Sequence, residues 1–306
     1  MARVMVTGGA GFIGSHIVEE LLAAGHEVSV VDNLQTGSEA WLPAGVAFYR
    51  ISILDEALCD VMAEAAPEYV IHQAAQVNVA RSVEDSAWDA QVNIVGSLRL
   101  LEACRKHGVR KVIYASSAAV YGEPRALPLV EDHPVAPLSP YGVSKHTVEH
   151  YLEVYRRLYG LNYTVLRYAN VYGPRQDAQG EGGVVAIFTY RIVRGLGVTI
   201  DGSGEQTRDL VYVGDVARAN VLALTAGDGE ILNVSMGVET SVNRLLAAIE
   251  EAVGRRAEVR HGPPRPGDIV RSVLANGRAR RVLGWEPRVS LAEGLQAVVT
   301  FEQARC

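Results

Sequence analysis

Three glycines, Gly8, Gly11 and Gly14, stand between an apolar run and a helical pattern, and no other feature constrains the fold as much. Arg3–Thr7 reads as a strand, and Phe12–Ala24 as a helix that Gly25 ends. The first glycine can make a tight turn out of the strand. The second lets a backbone approach a pyrophosphate, and the third packs the helix close to the strand. Pyrophosphate oxygens would then face the free N–H groups of a helix N-terminus. The spacing is GxxGxxG, with an extra glycine at Gly9. A glycine triplet alone says little; the strand before it and the helix after it make this one a dinucleotide loop.

The rest of the first half repeats the strand–helix alternation. Glu27–Val31, Tyr69–His72, Lys111–Ala115 and Tyr163–Arg167 read as strands, with helical patterns near Ala90–His107 and Pro140–Tyr159. That alternation predicts βαβ units in a doubly wound parallel sheet of the Rossmann type, with right-handed crossovers. The pattern changes after Gly173, where 176–183 is polar and glycine-rich. Val198–Gln206 reads as a hairpin turning through 201–204, and 261–268 as a proline-rich loop. The expected organisation is a dinucleotide-binding domain over 1–173 and a smaller mixed α/β C-terminal substrate lobe over 174–306. A strand near 231–235 is expected to return to the main sheet.

Asp32 ends the second strand, eighteen positions after Gly14. A carboxylate there can bind both ribose hydroxyls of NAD and would repel a 2′-phosphate, which favours NAD over NADP. Asn33 and Leu34 would continue the adenosine contacts. Tyr141 and Lys145 are four apart on a predicted helix, with Ser139 as N-cap and Pro140 in its first turn. The phenol and the ammonium therefore point the same way. A free phenol titrates near pH ~10 and is a poor base at neutrality. A nearby ammonium and an oxidised nicotinamide both favour the phenolate. Ser116 and Ser117 end a strand, where the Ser117 hydroxyl can hold a substrate oxygen against the tyrosine. Lys145 is one of only three lysines, with Lys106 and Lys111, among 29 basic residues. Together these groups predict hydride chemistry at an alcohol carbon.

Read as an ordered set, the motifs resemble the extended short-chain dehydrogenases/reductases, and within them the NAD-dependent UDP-glucose (UDP-galactose) 4-epimerases. The resemblance runs along nearly the whole chain. It is carried by Val6 to Gly14, Asp32 to Leu34, His72 to Ala75, Asn93 with Gly96, Ser116 to Gly122, and Tyr141 to Lys145. Later carriers are Arg167 to Pro174, Arg208 to Val213 with Asp215, Arg265 to Asp268, and Leu283 to Pro287. It implies reversible C4 epimerisation of a UDP-hexose through a transient 4-keto sugar, with Ser117, Tyr141 and Lys145 catalytic. It implies NAD contacts from Gly8, Gly11, Phe12, Ile13, Gly14, Asp32, Asn33, Leu34, Ser52, Ile53, Gln73, Ala74, Ala75, Asn93, Ser116, Tyr141, Lys145 and Tyr168. It implies substrate contacts from Ser117, Ala118, Ala119, Tyr141, Asn170, Gly183, Val184, Gln206, Arg208, Arg265, Asp268 and Ser272. Guanidinium groups suit phosphate forks, and an Asp can accept ribose hydroxyls. His72 reads instead as a strand-end histidine with a structural hydrogen bond.

Departures from the family pattern matter. Ser52 stands where relatives often carry an Asp that contacts adenine, and Gln76 and Val77 replace a Lys found in some of them. Both weaken the expected grip on NAD. Relatives that dehydrate nucleotide sugars usually carry an acid just after the catalytic Ser or Thr; Ala118 and Ala119 can transfer no proton. A UDP-glucuronate 4-epimerase is a closer alternative, and the small Ser272 suggests room for N-acetylated sugars. A non-catalytic NAD sensor on the same fold is the alternative outside enzymes. The net charge of −6 argues against nucleic acid or an anionic membrane as partner. Cys59, Cys104 and Cys306 lie far apart and form no metal-ligand spacing. Without a secretory signal pattern, this composition fits the cytoplasm, and the family resemblance implies a homodimer.

Overall fold

The computed structural model describes residues 1–178, 183–264 and 269–306. The first half builds β1 (Arg3–Thr7), α1 (Phe12–Ala23), β2 (Glu27–Val31), β3 (Ala47–Tyr49), α2 (Leu58–Ala65) and β4 (Tyr69–His72). After β4 come α3 (Val79–Glu84), α4 (Ser86–Ala90), a π-helical turn over Gln91–Gly96, and α5 (Ser97–Lys106). Then follow β5 (Lys111–Ser117), α6 (Pro140–Tyr159) and β6 (Asn162–Tyr168). The second half adds β7 (Asn170–Tyr172), α7 (Val184–Val193), β8 (Val198–Asp201), β9 (Thr207–Tyr212), α8 (Val213–Leu222) and β10 (Glu230–Val234). It ends with β11 (Glu239–Ser241), α9 (Val242–Val253), β12 (Val259–Gly262), α10 (Gly277–Leu283) and α11 (Leu291–Gln303).

Seven strands form one sheet in the order β10-β6-β5-β4-β1-β2-β3, every pair parallel. Both faces are covered. Val4 and Val6 point into one apolar layer with Ile17, Leu21, Ile71, Ile113 and Leu166. Met5, one residue between them, points into the other with Leu58, Val70, Leu100, Val112, Val148 and Val165. That period of two explains why the strands read as nearly unbroken apolar runs. Strands β1 to β3 are added toward one edge and β4 onward toward the other, so the strand order reverses between β1 and β4. Ligands of doubly wound sheets bind at such a switch point, outside the carboxyl ends of the strands.

The second half is woven into the first. β10 pairs with β6 from Glu230 against Thr164 to Val234 against Tyr168, and α8 packs on α1. Asp215 in α8 accepts the backbone N–H groups of Arg288 and Val289, each at 3.0 Å, and the fully buried Trp285 donates its Nε1 to the Asp215 carbonyl at 2.8 Å. The second half also builds a third apolar cluster, with Phe188, Ile192, Ile200, Leu246, Ile249 and Leu295 drawn from α7, β8, α9 and α11.

The expected hairpin at Val198–Gln206 does not form. β8 pairs in parallel with β12, whereas β9 joins β11 and β7. The turn residues Gly202 and Gly204 do take positive φ, at 72° and 81°. They redirect the chain without closing it on the neighbouring strand. The helix expected at Ala90–His107 begins earlier and carries the π turn in its middle.

Candidate functional site

The β1–α1 loop is shaped by steric exclusion. Gly8 has φ +70°, and a Cβ there would lie 2.6 Å from the Ala74 nitrogen, so the loop presses on the chain leaving β4. A Cβ on Gly14 would stand 2.0 Å from the Gly8 carbonyl oxygen, which is why helix and loop can meet there. Gly11 differs: a Cβ would meet only that same oxygen, at 3.2 Å, and otherwise open space. Gly11 caps α1 with no side-chain hydrogen bond, and no acid sits in the first turn beside Phe12 and Ile13. A helix N-terminus with free donors and open space in front of its cap is what an anionic pyrophosphate requires. Asp32 is 8% exposed and accepts from the N–H of Ala10 at 3.0 Å and of Leu34 at 2.8 Å. Burial raises its carboxyl pKa and the two amides oppose the rise. The carboxylate thus ties the two sides of this pocket together, and Leu34 takes φ +58° to reach it. Asn33 accepts from the N–H of Gln35 and faces solvent.

The strand ends beside the loop carry a buried polar chain. Ser97 donates to the Asn93 carbonyl at 2.6 Å, so the His72 Nε2–H donates to the Ser97 oxygen at 2.9 Å and Nδ1 accepts from Thr7 at 2.7 Å. Burial, then the charge on Lys145, push His72 down to about 3, which keeps it neutral and structural. Asn93 holds both backbone groups of Gln76, accepting its N–H at 2.8 Å and donating to its carbonyl at 2.9 Å. Ala74 donates its N–H to the Thr7 carbonyl, and Ala75 lies between the pinned Ala74 and Gln76. Gln73 donates to the Tyr168 hydroxyl at 3.0 Å. Asn220 of α8 meets that hydroxyl too; burial raises the Tyr168 phenol pKa, and the Gln73 and Asn220 hydrogen bonds oppose the rise. Ile53 is buried under the π turn, where a Cβ on Gly96 would lie 2.7 Å from its Cδ1. Ser52 turns back on its own loop, accepting from Leu54.

Tyr141, Lys145 and Ser117 meet beyond this chain. Ser139 caps α6 by accepting from Gly142 N–H at 3.2 Å, and Pro140 opens the helix. Lys145 is 3% exposed and donates to the Ala115 carbonyl at 2.9 Å, which fixes it under the end of β5. Its ammonium stands 5.9 Å from the Tyr141 ring centroid and 5.1 Å from that of Tyr114. Burial drives the Tyr141 phenol up to about 12; a hydrogen bond with Ser117 draws it back and the charge of Asp89 adds to the rise. Burial drives Lys145 down to about 8, against which the Asp89 charge works. Protein groups alone therefore hold a neutral phenol beside an ammonium. Ser116 points the other way, donating to Glu149 at 2.6 Å. Glu149 also receives Arg167 at 2.6 and 2.9 Å.

The expected substrate contacts among the described residues come from several elements. Ala118 and Ala119 form the helical turn directly after Ser117, and a Cβ on Gly142 would lie 2.7 Å from the Ala119 carbonyl oxygen. Asn170 is exposed on β7, next to β9. Arg208 on β9 donates to the carbonyls of Thr207 at 2.8 Å and Ile269 at 2.7 Å. Gln206 donates to the Asp201 carbonyl at 2.9 Å. Gly183 caps α7 ahead of Val184 and packs against Gln176. Ser272 is half-buried. Arg265 and Asp268 lie outside the described residues. Among the described residues no cluster of His, Cys, Asp and Glu could hold a metal ion.

The sequence reading missed Asp89 and Glu149, and it named Gln76 only as a departure from the family pattern. Asp89 lies four residues before Asn93 and shares its helical face, a spacing that could have exposed it. Glu149 likewise lies four after Lys145.

Residues 4–235 match the model of the NAD dependent epimerase/dehydratase family. The UDP-glucose 4-epimerase of Mycolicibacterium smegmatis is 49% identical over 306 residues, 98% of each chain. The crystal structure of UDP-glucose 4-epimerase with UDP-glucose from Thermotoga maritima is 50% identical, covers 99% of each chain and superposes with a TM-score of 0.97. That of the Thermus thermophilus UDP-glucose 4-epimerase in complex with NAD is 49% identical, with a TM-score of 0.95 over 99% of this chain and 100% of that one.

Proposed function

The chain belongs to the NAD dependent epimerase/dehydratase family, and from that premise we infer that it reversibly epimerises C4 of a UDP-hexose, UDP-galactose to UDP-glucose and back. The observation that carries this reading is the buried Lys145 ammonium 5.9 Å from the Tyr141 ring, with Ser117 bonded to the phenol. A proton donor or acceptor stands there at the carboxyl edge of the sheet, beside a glycine loop open at Gly11.

That loop fits NAD. Phe12 and Ile13 would present N–H groups to the pyrophosphate in the open space in front of Gly11, whose own N–H is held by the Gly8 carbonyl at 3.1 Å, and Gly8 and Gly14 would hold loop and helix at the needed approach. Asp32 would accept ribose hydroxyls through lone pairs that Ala10 and Leu34 leave open. NAD, when bound, supplies the two-electron acceptor and a positive nicotinamide. Ser117 would hold the C4 oxygen against Tyr141. Tyr141 would take the C4 hydroxyl proton as C4 gives up a hydride, and the Tyr141 phenol would return a proton to that same oxygen as hydride comes back to C4 on the opposite face of the turned 4-keto sugar. Lys145 supports the phenolate throughout, as a cation beside it. Asn170, Arg208, Arg265 and Asp268 would grip the nucleotide diphosphate while the sugar turns. The small side chain of Ser272 supports including N-acetylated UDP-hexoses in the proposed range.

We further read the chain as a cytoplasmic homodimer. The support is a row of exposed apolar side chains on one face of α6, Val143, Tyr151, Val154 and Leu158. No described helix is long and apolar enough to cross a membrane.

The test is anion-exchange chromatography after incubation with UDP-galactose, and in parallel with UDP-N-acetylgalactosamine and UDP-glucuronate. An equilibrium mixture of UDP-galactose and UDP-glucose without net NADH is expected. Conversion of UDP-glucuronate alone would replace the substrate, and conversion of none would remove the activity.

A further inference from the structure

Asp89 is a buried carboxylate that the proton transfer just described does not use. It is 1% exposed. Its Oδ1 accepts from Gln76 Nε2 at 3.0 Å and from Asn93 Nδ2 at 3.1 Å. Its Oδ2 is buried with no hydrogen-bond partner. An unpaired charge in such a place is costly unless another charge is close enough to offset it. The same Asn93 amide reaches Ser144 Oγ at 3.1 Å, one residue from Lys145 on α6.

The other groups around the Lys145 ammonium cannot supply that charge. His72 on β4 is neutral, pushed down to about 3 by burial and by Lys145 itself. Tyr114 on β5 is buried and pushed well above its ordinary value. Tyr141 on α6 is a neutral phenol, pushed up to about 12 by burial. Glu149, one turn along α6, is matched by Arg167 at 2.6 Å. Among the described residues Asp89 is the negative charge left to face Lys145.

We propose that Asp89 is a positioning residue for the proton transfer, a buried carboxylate that holds Lys145 as an ammonium and so keeps a positive charge beside the Tyr141 phenol. The proposal rests on the reading of Tyr141 and Lys145 as the proton-handling pair. The direct effect of the Asp89 charge on Tyr141 has the opposite sign, since a nearby anion disfavours phenolate. The lysine is therefore the group to watch. With Asp89 present, Lys145 titrates near 8 despite its burial. Without it, burial acts unopposed, the midpoint falls, and the amine loses its charge near neutrality.

The chain has only three lysines, so a protein labelled with [ε-13C]lysine gives three Cε resonances. Lys145 is assigned as the one absent from a Lys145→Met variant. In the Asp89→Asn variant, which keeps the side-chain shape and removes the charge, its midpoint is expected to fall by about one pH unit or more. Lys111, buried but paired with the exposed Asp228, should titrate as before and so reports on whether the fold survives. Should Asn disturb that pair, Asp89→Ser removes the charge without added bulk, and the same fall is expected. A folded variant with Lys145 at the wild-type midpoint overturns the proposal, and so does a wild-type midpoint below about 7. Activity gives the second readout. The basic limb of the kcat profile moves to lower pH in Asp89→Asn, while a merely structural role would lower kcat equally at every pH. A shifted lysine in a chain that converts no UDP-sugar would leave this inference standing and remove the function it serves.

Discussion

The glycine loop and the Tyr141–Lys145 pocket sit side by side at the carboxyl edge of one sheet, yet they are built from opposite materials. The loop is backbone and excluded volume: its shape follows from what a Cβ would strike, and its polarity from N–H groups at the start of α1. The pocket is buried side-chain charge, with an ammonium, a phenol, a carboxylate bonded through only one of its oxygens and, one turn away, the Glu149–Arg167 pair. Backbone geometry is either permitted or blocked, so damage to the loop should be steric and independent of pH. Buried charges respond to protonation, so damage to the pocket should follow pH.

The largest expected effect lies in the pocket. Tyr141→Phe removes the phenol hydroxyl proposed to carry the proton and little volume, and turnover is expected to fall by about a thousandfold, in the range of general acid–base catalysis. NAD affinity, read by fluorescence titration, should change only a few-fold, because the loop is untouched. Full activity in this variant would end the assignment. A matched loss of NAD binding would show that the two regions are not separable.

The loop is tested by two substitutions of the same size. In Gly14→Ala the new methyl would lie 2.0 Å from a backbone oxygen that cannot swing away. The expected cost is about 3 kcal/mol or more by denaturant unfolding, the same at every pH where the parent is folded. In Gly11→Ala the backbone is extended, φ −82° and ψ 179°, and accepts a side chain. Stability should then stay within about 1 kcal/mol, while the methyl occupies the space in front of the helix and NAD affinity drops at least about tenfold. Equal stability losses in the two variants would break the distinction between a packing glycine and a binding glycine.

Glu149 probes the charge side. Burial raises its carboxyl, but hydrogen bonds from Arg167, His146 and Ser116 with the Arg167 charge win, and it titrates near 2. A depressed carboxyl contributes stability that is present above its unfolded value of about 4.5 and lost as pH falls toward 2. Glu149→Gln should therefore cost about 3 kcal/mol at pH 7, leaving Arg167 buried without its partner. The deficit should narrow as acid titrates the parent. A gap that stays constant from pH 7 to pH 3 would mean that packing, and not charge, holds this corner.

The same contrast explains what could be read in the chain and what could not. Local rules located β1, the glycine loop, α6 with its Ser139 cap and Pro140, and the return of β10, because strand period, turn residues and caps act over a few positions. Ser117, Tyr141 and Lys145 were legible by their spacing within that frame. The pairing of β8 with β12 was not: β12 lies some sixty residues downstream, and a glycine turn after β8 looks locally like a hairpin. Nor was the direction of Ser116, whose hydroxyl goes to Glu149, since the partner is supplied by helix packing. Asp89 stood at a telling distance from Asn93, but a carboxylate on a short helix reads as solvated until the fold buries it.

The smallest expected effect asks whether capping reaches the chemistry. Ser139 accepts from Gly142 N–H at 3.2 Å, and the Tyr141 N–H is held separately by Ser82 Oγ on α3, also at 3.2 Å. Two hydroxyls from different elements thus fix the turn of α6 that carries the phenol. Ser139→Ala removes one of them and should cost about 1 kcal/mol, a typical N-cap value, seen as a small drop in Tm. Because Ser82 still holds Tyr141, and Lys145 is anchored a turn further on by Ala115, kcat should change less than about threefold while Tyr141 stays positioned. The double variant with Ser82→Ala distinguishes stability from positioning. If the two hydroxyls only stabilise the helix, their stability costs add and kcat is unmoved at temperatures where the protein is folded. If they aim the phenol, kcat falls in the double variant by far more than the product of the single effects, and the boundary between a backbone-built region and a charge-built one runs through the first turn of α6.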